Sequence, residues 1–124
     1  MDAARSAPVD VLVIGGGPAG LTAATYLGRL HRRCLVLDAG DSRARWIPET
    51  HNCPGFPQGI AGTALLARMR EQAAVHGAAF EQATVTSLRR TAGGFEVQDE
   101  SGRRWHGHAV ILASGLSDRL PATA

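Results

Sequence analysis

Apolar residues fill positions 11–14 and 34–37 without interruption. Runs this short and this rich in Val, Leu and Ile predict strands covered on both faces, as in a parallel sheet. They place strands at Asp10–Ile14 and Arg33–Asp38. Between them Leu21, Ala24, Thr25, Gly28 and Leu30 recur at loosely helical spacing. Pro18 stands where a first-turn proline sacrifices no hydrogen bond, so a helix should run from near Pro18 to near His31. Parallel strands joined by a helix form a right-handed crossover. A second helix is expected over Gly62–His76, with Leu65, Leu66, Met69, Ala73 and Val75 broadly on one face. Arg68, Arg70 and Glu71 take the other face, and Gly77 is placed to end the helix. Beyond it the pattern changes to alternation. Ala83–Thr91 and Gly94–Glu100 read as a hairpin turning at Gly93-Gly94. Ser101-Gly102 turns the chain again into a strand at Arg103–His108, and a last apolar strand covers Ala109–Ala113 before Ser114-Gly115.

The stretch Ala39–Ile60 has no sustained period and carries three prolines together with Gly40, Gly55 and Gly59. Trp46, Ile47, Cys53 and Phe56 make it too apolar for a solvated linker, so an ordered loop wrapping a ligand is expected. Residues 1–8 read as a disordered lead-in and 9–124 as one domain.

Composition narrows the class. The chain has 124 residues, 44% of them hydrophobic but only 5% aromatic, so its core must be built mainly from Val, Leu, Ile and Ala. All 13 basic residues are scattered arginines, and a net charge of +2 is too small and dispersed to argue for nucleic acid. No apolar run approaches the ~20 residues of a membrane span. Met1–Pro8 has no apolar segment of a secretory signal. Cys34 and Cys53 form neither a disulfide framework nor a C-x-x-C, and the expected compartment is reducing cytoplasm.

Chemistry enters between the first strand and the first helix. Gly15, Gly17 and Gly20 have the G-x-G-x-x-G spacing that lets a backbone carry a pyrophosphate. Gly15 permits the tight turn, Gly17 leaves room for the phosphates, and Gly20 lets helix and strand pack closely. The helix N-terminus then faces the anion with unpaired N–H groups. Asp38 ends the second strand at the distance where such folds place an acid on the adenosine ribose. Strand, turn, helix, strand and acid stand in the order of a Rossmann-like dinucleotide fold.

Four segments in sequence, Val13-Ile-Gly-Gly-Gly-Pro-Ala-Gly-Leu21, Leu37-Asp38, His51-Asn-Cys-Pro-Gly-Phe56 and Ile111-Leu-Ala-Ser-Gly115, resemble the FAD-binding part of thioredoxin-reductase-like flavoprotein oxidoreductases. The resemblance runs from about Val9 to Pro121. It implies an α/β fold, FAD/NAD(P)-binding and Rossmann-like, with a mostly parallel sheet, helices and a small antiparallel β-meander packed on it. It also implies residue roles. Gly15, Gly17, Pro18, Ala19 and Gly20 would cradle the FAD pyrophosphate and Asp38 would hold the adenosine ribose. Asn52 would lie near the flavin ring, Val85 would offer its backbone to the adenine, and Ala113, Ser114 and Gly115 would form a turn near the cofactor. In the complete chemistry NAD(P)H reduces the flavin, which passes electrons to a disulfide or another acceptor. No side chain of this chain need be catalytic, and no metal is implied.

The family's members are longer, and the chain is expected to stop where their NAD(P)H domain begins. Its second glycine fingerprint, a redox C-x-x-C and the C-terminal return of the FAD domain are not in the sequence. A cofactor-binding module without catalysis of its own, and a reductase whose acceptor is ferredoxin, therefore stay open, as does a homodimer. A short NAD-dependent dehydrogenase would want Tyr-x-x-x-Lys, and the chain has no lysine. Cys53 is read as a packed loop residue rather than a redox centre, and His51 as a backbone-bonding loop residue. His106 and His108 share a strand face without the acids or thiols of a metal site. Arg43 and Arg45 are either phosphate partners or solvated; Asp38 argues against their reading a 2′-phosphate.

Overall fold

The computed structural model describes residues 8–40, 42–51, 53–114 and 122–123. Of the expected lead-in only Pro8 falls within them, and it is exposed. The two apolar runs form β1 (Val9–Ile14) and β2 (Cys34–Asp38), paired in parallel with Val11 opposite Cys34 and Ile14 opposite Leu37. Helix α1 (Pro18–Arg29) connects them, and α2 (Gly62–Val75) connects β2 to β3 (Ala79–Gln82), which lies parallel to β2. The hairpin β4 (Val85–Thr91) and β5 (Gly94–Asp99) turns at Ala92-Gly93, so Gly94 opens β5 instead of sharing the turn. With β6 (Arg104–Leu112) and the short β7 (Ala122–Thr123), the described strands make one sheet in the order β3-β2-β1-β6-β5-β4-β7.

Both faces of the central strands are covered, which is why their sequence does not alternate. Val11, Val13, Cys34 and Val36 face the helices and pack with Ala24, Leu27 and Ala73. Leu12, Ile14, Leu35 and Leu37 face the other way and meet Val97 and Trp105 of the meander. Leu12, Val13 and Val36 are fully enclosed, each burial contributing roughly 1.5–3 kcal/mol. The result is three layers: helices, parallel sheet, meander.

Two expectations about the strands change. Arg103–His108 and Ala109–Ala113 are not separate strands but one, β6. Its first half pairs antiparallel with β5 and its second half parallel with β1, and Gly107 belongs to both registers. A Cβ at Gly107 would press on the Leu12 side chain, so the bare backbone lets one strand lie over β1 and continue into the meander. The meander thus packs on the sheet and is also hydrogen-bonded into it. β3, within the stretch Gly77–Gln82 left unassigned above, is an edge strand.

The helices hold nearly as expected. α1 ends at Arg29 rather than His31, and Gly77 follows α2, its N–H bonded to Ala74 O at 2.9 Å. Val75 departs from its expected buried face: at the last turn of α2 it points to solvent, 76% exposed. The described part of the Ala39–Ile60 stretch contains a 3₁₀ turn at Arg43–Trp46 and a paired bridge between Thr50 and Ile60. Trp46 and Ile47 are exposed rather than turned inward. No helix among the described residues is long and apolar enough to cross a membrane.

Candidate functional site

The site forms where β1 ends. Gly15 takes φ +117°, a conformation that a side chain would strain, and a Cβ there would run into the Ala113 carbonyl. The turn is fastened on both sides: Gly15 N–H donates to Leu37 O at 2.9 Å, and Ala113 N–H donates to Ile14 O at 2.8 Å. Gly20, buried in the first turn of α1, lies against the Gly15 carbonyl. Gly17 is the N-cap of α1 and supplies no side-chain cap, nor does the first turn hold an acid. Pro18 and Ala19 are exposed at that end. Among the described residues, the helix N-terminus therefore has no side-chain cap, and its positive dipole end favours an anion.

Asp38 stands beside it. Its Oδ1 accepts from Gly40 N–H at 2.8 Å, and its Oδ2 lies 3.5 Å from an Arg70 guanidinium nitrogen. The carboxyl rests on Gly16, where any Cβ would collide with it. A cavity of about 220 Å³ opens here, bordered by Gly16, Asp38, Gly40, Ser42, Arg45 and Arg70 among others. Ser42 Oγ sits over Gly17 and accepts from Ala44 N–H at 3.3 Å, capping the 3₁₀ turn. An Arg45 guanidinium N–H donates to Gly40 O, and Arg45 borders the cavity while remaining exposed to solvent. The expected ligand-wrapping loop thus reaches the cavity through Gly40, Ser42 and Arg45.

The structure gathers Gly15, Gly17, Pro18, Ala19, Gly20, Asp38, Ala113 and Ser114 around one strand-to-helix turn. Val85 stands apart from the cavity lining. It opens β4 opposite Asp99 and packs under the sheet. Its neighbour Ala83 donates its N–H to Asp38 O at 3.0 Å, which ties this connection to the tip of β2. Asn52 and Gly115 lie outside the described residues. The motif reading missed Gly16, Gly40, Ser42 and Arg70. The run of three glycines at 15–17 was the available signal for the first, and the small residues after Asp38 for the next two. Arg70, thirty-two positions beyond Asp38, gave none.

The remaining candidates have these surroundings. Cys34 is buried on β2, and burial pushes its thiol up to about 11. Cys53 is a free thiol whose Sγ lies 3.7 Å from Pro54 O. His51 pairs with Glu49 at 2.8 Å, both exposed. His106 bonds Glu96 at 2.9 Å while His108 faces Gly93 O at 3.3 Å. Among the described residues no group of acids, histidines and cysteines could hold a metal.

The family model for pyridine nucleotide-disulphide oxidoreductases matches residues 9–124. The chain belongs to that family. It is 38% identical over 112 residues to a thioredoxin reductase of Aquifex aeolicus, covering 89% of this chain and 35% of the relative. It is 37% identical over 116 residues to NADPH-dependent thioredoxin reductase 3 of Arabidopsis thaliana, covering 89% of this chain and 22% of the relative. The solved structure of a thioredoxin reductase from Gloeobacter violaceus superposes with a TM-score of 0.84 at 32% identity, over 91% of this chain and 38% of that one. The chain thus spans between a fifth and two-fifths of the length of these relatives. Within the family it corresponds to the N-terminal, FAD-binding portion of a thioredoxin-reductase-like oxidoreductase. Glycine stands at 15, 16 and 20, where a Cβ would meet the Ala113 carbonyl, the Asp38 carboxyl and the Gly15 carbonyl in turn.

Proposed function

We propose that this chain is the FAD-binding segment of an NAD(P)H-dependent flavoprotein oxidoreductase that passes electrons to a disulfide or another acceptor. One observation carries the reading: the uncapped N-terminus of α1, reached through the Gly15–Gly20 turn, adjoins the cavity that Asp38 borders. FAD, when bound, supplies the hydride and electron chemistry. The protein's part is to bind and orient. The turn backbone and the first amides of α1 take the pyrophosphate, whose charge the helix end favours. Asp38 takes the adenosine ribose, and Ala113-Ser114, seated on Gly15, continues the wall. Asn52, Gly115 and the Val85 backbone complete the proposed set. Among the described residues, Asp38, Arg45 and Arg70 are the charged groups bordering the cavity.

A second reading, a cofactor-holding segment without turnover of its own, is favoured by the cysteines. Cys34 and Cys53 are both free thiols, and only one of them is buried. A redox dithiol is not assembled among the described residues.

The test is FAD binding, followed by quenching of flavin fluorescence. Asp38→Ala removes charge-assisted hydrogen bonds worth ~1.5–3 kcal/mol, so affinity should fall by about 10- to 100-fold with the circular dichroism spectrum unchanged. Equal affinity in parent and variant would refute the ribose assignment.

A further inference from the structure

Arg70 was expected on the solvated face of α2, yet its guanidinium is held at two points. Its carbon centre lies 4.2 Å from the centroid of the Phe80 ring on β3, and one nitrogen lies 3.5 Å from Asp38 Oδ2. Phe80 is half-buried and packs against the helix-side core, so it is a fixed seat. A planar guanidinium stacked on an aromatic face keeps its edge donors free to address a carboxylate. Arg70 and Asp38 border the same cavity.

The acceptor count of Asp38 shows what this arrangement leaves open. An ionised carboxylate has about four acceptor sites. The Gly40 N–H occupies one on Oδ1, while the Arg70 guanidinium faces Oδ2 at 3.5 Å as an ion pair. The remaining sites are enough to accept from both vicinal hydroxyls of a ribose. Arg70 is half exposed, so its pairing with Asp38 adds little to stability in a screened setting. Its effect is on orientation: the Gly40 hydrogen bond on one oxygen and the Arg70 charge beside the other favour one setting of the carboxylate plane.

We propose that Arg70 is a positioning residue, which holds the Asp38 carboxylate so that its free acceptor sites meet the two hydroxyls of an adenosine ribose. This rests on the FAD reading above. A double-mutant cycle with FAD as the probe tests it, using Asp38→Ala, Arg70→Ala, their combination, and Arg70→Lys. Arg70→Ala should weaken FAD by about 3- to 10-fold, whereas in the Asp38→Ala background the same change should cost nothing further. Arg70→Lys, which keeps the charge but loses the planar stack, should recover part of the loss. Phe80→Leu removes the seat without touching the cavity and should weaken FAD only while Asp38 and Arg70 are both present. If Asp38→Ala leaves affinity unchanged, the FAD reading falls. If Asp38→Ala weakens binding but Arg70→Ala does not, or weakens it equally in both backgrounds, the positioning role is overturned.

Discussion

Gly20→Ala is the sharpest single perturbation of the cradle. A Cβ at Gly20 would lie 1.9 Å from the Gly15 carbonyl oxygen and 3.3 Å from Val13 Cγ1. Ordinary contact needs about 3.4 Å or more, so α1 must retreat from the turn by about 1.5 Å. The obstacle is backbone, itself bonded between β2 and β6 through Gly15 N–H and Ala113, and cannot step aside as a side chain would. Overpacking of this kind costs ~1–3 kcal/mol, and the upper end applies. Alanine returns ~0.5–1 kcal/mol through helix propensity, leaving a net loss of about 2 kcal/mol. For a domain of this size that lowers the melting temperature by about 6–10 °C. Thermal unfolding followed by circular dichroism measures it. Gly93→Ala is the matched control: a Cβ there meets nothing within 4 Å, so its effect should stay within about 0.5 kcal/mol. A Gly20→Ala chain that melts at or above the parent temperature would show that close helix–strand approach is not what this glycine serves.

The two thiols should separate cleanly: at neutral pH Cys53 reacts with an aromatic disulfide reagent in the folded chain, while Cys34 reacts only after denaturation. Because burial raises the Cys34 pKa from 9.0 to about 11, its stabilising contribution is complete below pH 9 and declines as pH rises through that window. The slope is at most about 1.4 kcal/mol per pH unit; urea midpoints at pH 8 and pH 10.5 should differ less in Cys34→Ala than in the parent. Asp99 behaves in the opposite sense. Burial alone would raise its carboxyl, but hydrogen bonds from the Ser101 hydroxyl and the Arg103 amide and guanidinium, with the Arg103 charge, hold it below the usual range. The stability it supplies is present above the ordinary carboxylate range and is lost as pH falls through its lowered value. Asp99→Asn should therefore cost about 1–3 kcal/mol at pH 7 and less at pH 3, and an equal cost at the two pH values would refute this.

Features written into a short stretch of chain were legible in the sequence. Unbroken apolar runs announced β1 and β2 because each is covered on both faces. The glycine spacing announced the turn because a positive φ and a close approach are demands on single residues. β3 escaped notice because Ala79–Gln82 sits at the sheet edge, with polar residues at half its positions and only β2 beside it. The continuity of β6 escaped because Gly107 reads locally as a break, whereas it is the residue shared by two ladders. Val75 was grouped with the apolar stripe of α2, but at about 100° per residue it lies on the opposite side of the helix from Ala73, which fills the core.

The sequence by itself determined where a glycine turn joins β1 to α1 and that an acid ends β2, the two features on which the proposed pyrophosphate and ribose sites rest. Only the tertiary structure decided what surrounds that acid. Arg70 reaches Asp38 because α2 crosses back over the sheet and β3 pairs beside β2, bringing Phe80 beneath the guanidinium. Local periodicity records the conformation of neighbours along the chain, but a carboxylate is oriented by groups that approach through space.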